Sequence, residues 1–213
     1  MYHVDNVQLA GLETRLQLDI PSGIVGCVAD YGDPPIGTQL LRLLNAMDAP
    51  LAGEVRLDGQ LLSETNPWAL RKRVVMAPRK WVFFGQTIRE NLLAGLQFHG
   101  RSCTDEEETA MMALLQLSHP RDGQAALLTA AEQQRLCVGR VLLMKPGIVL
   151  LDDALYMQTP DVLPGWAAWV QRYGGSMICT AALAETLAGC EHVITLPAPL
   201  PRERHHTAYH AEM

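Results

Sequence analysis

A short apolar strand, a loop rich in glycine and proline, and an apolar helix follow one another near the start of the chain, and this succession constrains the fold most. The strand is predicted over residues 24–29, and the loop runs from Gly32 to Gly37. Beyond the loop, apolar side chains recur at helical spacing from Leu40 to Met47. A strand, a loop of this composition and a helix in this order are the layout of a phosphate-binding loop.

The remaining chain predicts an α/β sheet with an antiparallel flank. Residues 1–22 alternate apolar and polar side chains with period two, and the Asp58-Gly59 pair marks a hairpin. We therefore expect a core sheet flanked by helices, an antiparallel β subdomain and a helical insertion over about 90–130. Apolar runs and helical spacing predict buried strands over 74–77, 148–151, 177–179 and 193–196, and helices over 87–97, 105–117, 131–144 and 164–172.

The charge of the chain argues against a nucleic-acid-binding protein. The 213 residues include 17 Lys and Arg and 23 Asp and Glu, which gives a formal net charge of -6. A surface that neutralises phosphates needs clustered basic side chains, and the one dense basic stretch, Arg71-Lys72-Arg73, is predicted to be a solvated turn. With 48% hydrophobic residues, the chain can form one domain over 1–196, followed by a flexible tail over 197–213.

Neither the cysteines nor the ends of the chain indicate a secreted or metal-binding protein. The five cysteines are odd in number, widely spaced and without a CxxC pair, so we predict neither a zinc site nor a disulfide framework. For His205 and His206, in the predicted tail, a solvated role is favoured over metal binding. Because no signal-peptide pattern opens the chain and no apolar run approaches the ~18–20 residues that span a bilayer, we expect a cytoplasmic protein that can dock on a membrane partner.

Five segments in a fixed order resemble the nucleotide-binding domain of ABC transporters, and the resemblance extends over residues 1–196. They are residues 32–37 with the spacing of a Walker A loop, 53–59, 87–92, 128–135 with part of the family's signature motif, and 149–153 with a Walker B pattern. The 87–92 segment is more similar to transporters than to DNA-repair or translation relatives. The resemblance implies a P-loop NTPase-like core sheet flanked by helices, with an antiparallel β subdomain and a helical insertion.

The resemblance implies a nucleotide-binding set that departs from the family pattern. Thr38 aligns with the phosphate-binding lysine and Gln39 with the metal-binding hydroxyl, while Pro34 and Pro35 lack N–H groups. Loss of the lysine contact and of one or two loop donors should weaken phosphate binding by roughly 3–6 kcal/mol. The nucleotide-binding set is Gly32, Asp33, Pro34, Pro35, Ile36, Gly37, Thr38, Gln39 and Arg79.

Arg79 aligns with the glutamine of the family's Q-loop, and two interpretations of it stay open. It can supply the positive charge that is missing at Thr38, or it can be a surface arginine beside Lys80, which we favour. The next residues, 81–84, read Trp-Val-Phe-Phe and align where family members receive the coupling helix of a permease. An exposed part of this stretch would be a docking candidate, and the alternative is that alternate residues belong to an ordinary core.

The segment that resembles the ABC signature motif has lost its glycines. Ala130 and Ala131 replace two glycines that let the backbone approach the γ-phosphate across a dimer, and methyl groups there should hinder that approach. The chain is therefore expected to complete a partner's site poorly. The signature set is Leu128, Thr129, Ala130, Ala131, Glu132 and Gln133.

The Walker B resemblance ends in two aspartates. Asp152 is the candidate ligand for Mg²⁺, through water. Asp153 replaces the catalytic glutamate with a side chain one methylene shorter and is a weak catalytic candidate, because positioning errors near 1 Å can cost about a hundredfold in rate. Ala181 aligns with the switch histidine and cannot hydrogen-bond the γ-phosphate, Thr159 aligns with the D-loop aspartate, and residues 8–12 offer no adenine-stacking aromatic.

These changes together predict that ATP and Mg²⁺ bind weakly or not at all and that hydrolysis is lost or severely impaired. We predict a scaffold or regulatory subunit that works with a membrane permease or a sister ABC ATPase, as a homo- or hetero-dimer at the inner face of the membrane. Two alternatives stay open. One is an atypical but active ATPase that energises transport, and the other is a soluble regulatory module that binds another protein.

Overall fold

The computed structural model describes residues 1–29, 36–153, 158, 162–181 and 190–197. The predicted loop residues Gly32, Asp33, Pro34 and Pro35, together with Thr159 and the tail from residue 198 onward, lie outside the described residues. Within the described ranges, no helix combines the length and the apolar character that a bilayer crossing requires.

Nine strands form two sheets in the part of the chain that the structure describes. Their bounds are β1 (Tyr2–Gln8), β2 (Leu16–Ile20), β3 (Val25–Ala29), β4 (Ala52–Leu57), β5 (Gln60–Leu61), β6 (Val74–Ala77), β7 (Ile148–Leu151), β8 (Ser176–Ala181) and β9 (His192–Thr195). One sheet is antiparallel with the order β2-β1-β4-β5, and the other is parallel with the order β6-β7-β8-β3-β9. The predicted core sheet and antiparallel flank are therefore confirmed.

The hairpin between β4 and β5 follows directly from its turn residues. Asp58 and Gly59 have φ angles of 51° and 84°, which is the left-handed pair that a two-residue turn of type I′ requires. This turn pairs Leu57 with Gln60 across the two strands.

Six α-helices occur among the described residues, and five of them lie close to predicted spans. Their bounds are α1 (Gly37–Leu44), α2 (Pro67–Arg73), α3 (Ile88–Gln97), α4 (Asp105–Leu114), α5 (Ala130–Leu143) and α6 (Val162–Gln171). Three of them begin at a capping box, in which a threonine hydroxyl and a glutamate three residues later each accept a hydrogen bond from the other residue's backbone N–H. These pairs are Thr87 with Glu90, Thr104 with Glu107, and Thr129 with Glu132.

The basic stretch Arg71-Lys72-Arg73 is exposed as predicted, but it forms the last turn of α2 instead of a turn between elements. Asn66 caps this helix by accepting from the N–H groups of Trp68 and Ala69, and Pro67 occupies its first turn. An asparagine followed by proline is a helix-start signal, and cations in the last turn complement the helix dipole.

The parallel sheet separates two buried clusters because successive strand residues face opposite sides. Val149, Leu151 and Met177 belong to the cluster that also contains Trp166 and is formed largely by α3 to α6. The other cluster joins the sheet to α1 and to the antiparallel sheet, and its strand residues are Val28, Leu150 and Ile178. The continuous apolar runs of these strands thus cover both faces of a central sheet.

Three of the cysteines meet inside the parallel sheet, which the sequence did not predict. Cys27 on β3 forms a disulfide with Cys190, whose Cα atom is 5.9 Å away. Cys179 on β8 is a buried free thiol next to Cys27. The expectation of no disulfide is therefore wrong. Spacing rules compare cysteines that are close in sequence, whereas these three cysteines become neighbours through the order of the strands.

The carboxyl edge of the parallel sheet, where β3, β6, β7 and β8 end, gathers the candidate site residues. The chain leaves β3 toward α1, and β7 ends immediately before Asp152 and Asp153. β8 ends at Ala181, and Arg79 follows β6 by two residues. In parallel α/β sheets this edge is where ligands bind.

Candidate functional site

Asp152 lies at the centre of a hydroxyl and carboxylate cluster at the carboxyl edge. Its Oδ1 accepts hydrogen bonds from Thr38 Oγ1 at 2.8 Å and from Thr180 Oγ1 at 3.3 Å. Its backbone N–H donates to the carbonyl of Ala77 at 3.0 Å, and the side chain is buried. Residues from α1, β8 and the end of β6 therefore hold this carboxylate in one orientation.

Thr38, and not Gln39, reaches the Walker B aspartate. Gln39 donates from Nε2 to the carbonyl of Ala10 at 3.2 Å, on the side of the antiparallel sheet. The preceding residues Ile36 and Gly37 are buried where α1 begins. The hydroxyl that contacts Asp152 thus belongs to Thr38. This residue is one position before Gln39, which the family resemblance aligned with the metal-binding hydroxyl.

Asp153 is held by an arginine and by its own backbone. Its Oδ2 lies 3.2 Å from Arg79 Nε, and the side chain of Asp153 is 16% exposed against 53% for that of Arg79. Its N–H donates to Thr180 Oγ1 at 2.8 Å, and its carbonyl accepts from Gln134 Nε2 at 3.0 Å. Its φ of 51° lies in the left-handed region that aspartate adopts more readily than most residues.

The oxygen atoms of this cluster suit a hard divalent cation. Mg²⁺ prefers carboxylate and hydroxyl oxygens, and in P-loop proteins it is held by a loop hydroxyl and the Walker B aspartate. The Thr38 hydroxyl and the Asp152 carboxylate would hold it here, and a bound Mg²⁺ would neutralise phosphate charge. The phosphate-binding lysine has no counterpart, because the sequence from 36 to 39 reads Ile-Gly-Thr-Gln.

The residues of the signature segment take local structural roles at the start of α5. Thr129 caps the helix, and its backbone N–H donates to the carboxylate of Glu132, which lowers the pKa of that carboxyl. Gln133 donates from Nε2 to the carbonyl of Leu128 at 2.8 Å, and Leu128 itself is buried. Ala130 and Ala131 are partly exposed at the helix N-terminus.

Three polar residues that the sequence did not single out connect the Walker B aspartates to α5 and β8. Thr180 contacts both aspartates, and it immediately precedes Ala181, which is buried at the end of its strand. Gln158 donates from Nε2 to the carbonyl of Ala131 and to Gln134 Oε1, both at 3.2 Å. A hydroxyl at the end of a buried strand was the available signal for Thr180. Gln134 lies in the 128–135 segment but was given no role there, and Gln158 had no signal.

A second surface, the Phe84 patch, consists of Val82, Phe84 and Phe98. Their exposed fractions are 54%, 54% and 67%, and the rings of Phe84 and Phe98 meet edge to face with centroids 5.2 Å apart. The guanidinium of Arg140 lies 4.5 Å from the centroid of Phe84. Within the 81–84 stretch Phe83 instead packs against the core. Alternate residues of this stretch are therefore exposed, as a docking surface requires, or packed against the core.

Arg140 fixes the Phe84 patch to α3 and α5. It donates from Nε to the carbonyl of Asn91 at 2.7 Å and from Nη2 to the carbonyl of Val82 at 3.1 Å. Burial of this guanidinium lowers its pKa from the ordinary value. The patch is therefore a pre-ordered apolar surface rather than a loose loop.

Comparisons with known proteins agree with this geometry. The family described as ABC transporter matches residues 31–156, more than half of the chain. Protein STAR1 of Oryza sativa subsp. japonica is 31% identical over 140 residues, which is 65% of this chain and 40% of that protein. Energy-coupling factor transporter ATP-binding protein EcfA1 of Streptococcus pyogenes serotype M12 is 30% identical over 124 residues, 56% of this chain and 44% of that protein.

A solved structure gives the same fold. A protein from Pyrococcus furiosus described as a putative ABC transporter ATP-binding protein superposes with a TM-score of 0.76 at 18% identity, over 92% of this chain and 96% of that one. The chain spans less than half the length of the two curated relatives named above. On the family match and the shared architecture, the chain belongs to the ABC transporter family and has the fold of its nucleotide-binding domain.

Proposed function

We propose that this chain is an ABC nucleotide-binding-domain homologue in which ATP binding and hydrolysis are lost or severely impaired, and that it serves as a scaffold or regulatory subunit. The observation that carries the proposal is the ion pair between Arg79 and Asp153. The guanidinium lies against a carboxylate oxygen that a general base would have to present to the attacking water. The residue at the position of the catalytic base is thus engaged by the residue at the Q-loop position.

The contact between Thr38 and Asp152 supports a one-residue change in the alignment of the Walker A loop. In P-loop proteins the hydroxyl beside the Walker B aspartate is the metal-binding one, so we infer that Thr38 takes this role and Gly37 takes the lysine position. A glycine there supplies no charge. Loss of a charged hydrogen bond weakens phosphate binding by about 1.5–3 kcal/mol, or roughly 10- to 150-fold.

The partner that we propose is a membrane permease or a sister ATPase of the family. Pre-ordered aromatic side chains make strong anchor residues in protein interfaces, and the Phe84 patch offers two of them on a surface fixed by Arg140. The patch lies directly after the Q-loop position, where the family resemblance predicts permease docking. Through such a partner the chain would work at the inner face of the membrane.

The test of the catalytic part is MgATP binding and hydrolysis by the purified full chain. We expect turnover that does not exceed that of the Asp153→Ala variant, and weak or undetectable binding at millimolar MgATP. A turnover typical of transporters, lost in Asp153→Ala, would contradict the proposal. It would instead support the second candidate, an atypical ATPase, which the intact pair of Thr38 and Asp152 favours.

The test of the docking part is sedimentation of the full chain with membranes of its own cells. Phe84→Asp should reduce the membrane-bound fraction severalfold, because it places a charge in the centre of the Phe84 patch. Trp68→Asp is the matched control, since Trp68 is an 80% exposed aromatic on α2. Equal loss in both variants, or no membrane-bound wild-type protein, would refute docking through this surface.

A further inference from the structure

Three sulfur atoms converge in the parallel sheet, below the strand ends that carry the candidate site. Cys27 and Cys179 are register partners on β3 and β8, and their Sγ atoms are 2.8 Å apart. Cys190 precedes β9, and the N–H of the next residue, Glu191, donates to the carbonyl of Val25. The sulfurs of all three cysteines lie within 4.8 Å of one another.

The backbone places Cys27 and Cys190 at a disulfide separation. Their Cα atoms are 5.9 Å apart, inside the range of about 4.4–6.8 Å that disulfides occupy. Cys190 is a partly exposed residue, whereas Cys27 is fully buried on the central part of β3. A reagent from solution therefore reaches Cys190 first.

Cys179 is unsuited to make the first attack on an oxidant from solution. It is completely buried, and desolvation raises the pKa of its thiol to about 12. The thiolate is the reactive form of cysteine, so almost none of this residue is reactive near neutral pH. Its thiol instead contacts the carbonyl of Gly26 at 3.5 Å.

A thiophilic metal ion is a poorer occupant of this cluster than a disulfide. Three thiolates around a monovalent or divalent cation leave net negative charge in the sheet. Cys27 and Cys179 belong to the buried apolar cluster with Val25 and Met177, and Cys190 packs against it. Charge in such surroundings is strongly penalised unless it is paired.

We propose that Cys27 and Cys190 form a reversible redox site that takes a low-molecular-weight disulfide, such as glutathione disulfide, as its oxidant. The Cys190 thiolate attacks one sulfur of the oxidant, which forms a mixed disulfide and releases one small thiol. The Cys27 thiolate then attacks the Cys190 sulfur and releases the second small thiol. Two protein S–H groups become one S–S bond, and the oxidant is reduced by two electrons to two thiols.

The bond ties β3 to the chain entering β9 and closes a loop between residues 163 positions apart. Long loops gain the most from such a link, because it restricts the unfolded chain. The oxidised protein should melt about 5–15 °C above the reduced protein. This inference stands apart from nucleotide binding, since its measurements require no ATP.

The experiment compares the purified full chain after incubation with dithiothreitol or with glutathione disulfide, by thiol counting, peptide mass spectrometry and thermal melting. The wild type and Cys179→Ala should each lose two thiols on oxidation, with a bond between Cys27 and Cys190, and melt higher. Cys190→Ser should show neither change. Cys103→Ser is the control at a cysteine away from the cluster, and it should behave as wild type.

Three outcomes would overturn the proposal. One is an unchanged thiol count in the wild type at a glutathione potential of about −180 mV. Another is a bond to Cys179 that disappears in Cys179→Ala. The third is uptake of one Cu(I) or Zn²⁺ ion by the reduced protein, with protection of all three thiols from alkylation, which would assign the cluster to metal binding.

Discussion

The side chains of the candidate site and those of the Phe84 patch differ in their exposure. Those at the carboxyl edge of the parallel sheet are paired within the molecule, whereas those of the patch face solvent. At the carboxyl edge, Asp152 bonds to two hydroxyls and Asp153 pairs with Arg79. At the patch, Phe84 and Phe98 stand more than half exposed, although the partly buried Arg140 lies over the ring of Phe84. The polar groups at the carboxyl edge are already hydrogen-bonded or ion-paired within the molecule, whereas an ordered apolar surface gains free energy by being covered.

The strongest test of the patch is Arg140→Ala. The substitution removes charged hydrogen bonds to the carbonyls of Asn91 and Val82 and the contact over Phe84. We expect a loss of about 2–4 kcal/mol in the free energy of unfolding, measured by urea denaturation. Arg101→Ala, which removes one exposed bond to the carbonyl of Met144, should cost below about 1 kcal/mol. Equal effects would show that the patch is not anchored by Arg140.

The carboxyl edge is best probed by introducing a lysine where the family has its phosphate-binding lysine. Gly37→Lys should tighten MgATP binding by about 1.5–3 kcal/mol, or roughly 10- to 150-fold, because it supplies the missing phosphate contact. Thr38→Lys should give no such gain, since it removes the hydroxyl that bonds Asp152. Calorimetric titration measures both, and melting curves check that both variants are folded. If only Thr38→Lys increased the affinity for MgATP, the result would support the original alignment of Thr38 with the lysine.

The hydroxyl of Thr180 is predicted to hold the two aspartates in place. Thr180→Val keeps the shape but leaves the N–H of Asp153 without this acceptor. A buried donor without a partner costs about 1–3 kcal/mol, and we expect about 1–2 kcal/mol by urea denaturation. Thr180→Ser should retain most of the stability. If valine and serine behave alike, the hydroxyl does not organise this edge.

We expect the smallest change in the free energy of unfolding at Glu132, whose carboxylate caps α5. The Thr129 N–H lowers the pKa of Glu132, so the folded value lies below the unfolded value of about 4.3. The resulting stability is complete above pH ~4.3 and is lost as pH falls through the folded pKa. Glu132→Gln should cost about 0.5–1 kcal/mol at pH 7, and this cost should decrease as the pH falls from 7 to 3. An unchanged difference between the two pH values would contradict the capping role.

Much of the architecture was readable from local patterns. The buried strands β6 and β7 were predicted with their observed bounds, and the helix predicted over 87–97 corresponds to α3 (Ile88–Gln97). Helix α2 was not predicted, although Asn66-Pro67 is a local helix-start signal. The roles given to the site residues stay predictions, and the contact of Thr38 with Asp152 is the reason for the one-residue shift that we propose in the Walker A loop.

The sequence by itself determined the order of strands and helices, the hairpin at Asp58-Gly59 and the helix caps, because these depend on residues a few positions apart. Only the tertiary structure decided that Thr38 meets Asp152 across 114 positions and that Cys27 meets Cys190 across 163. Such contacts depend on which strands are neighbours and in what register. In a chain of 213 residues, strand order and register are determined by the packing of the whole core and not by any short segment.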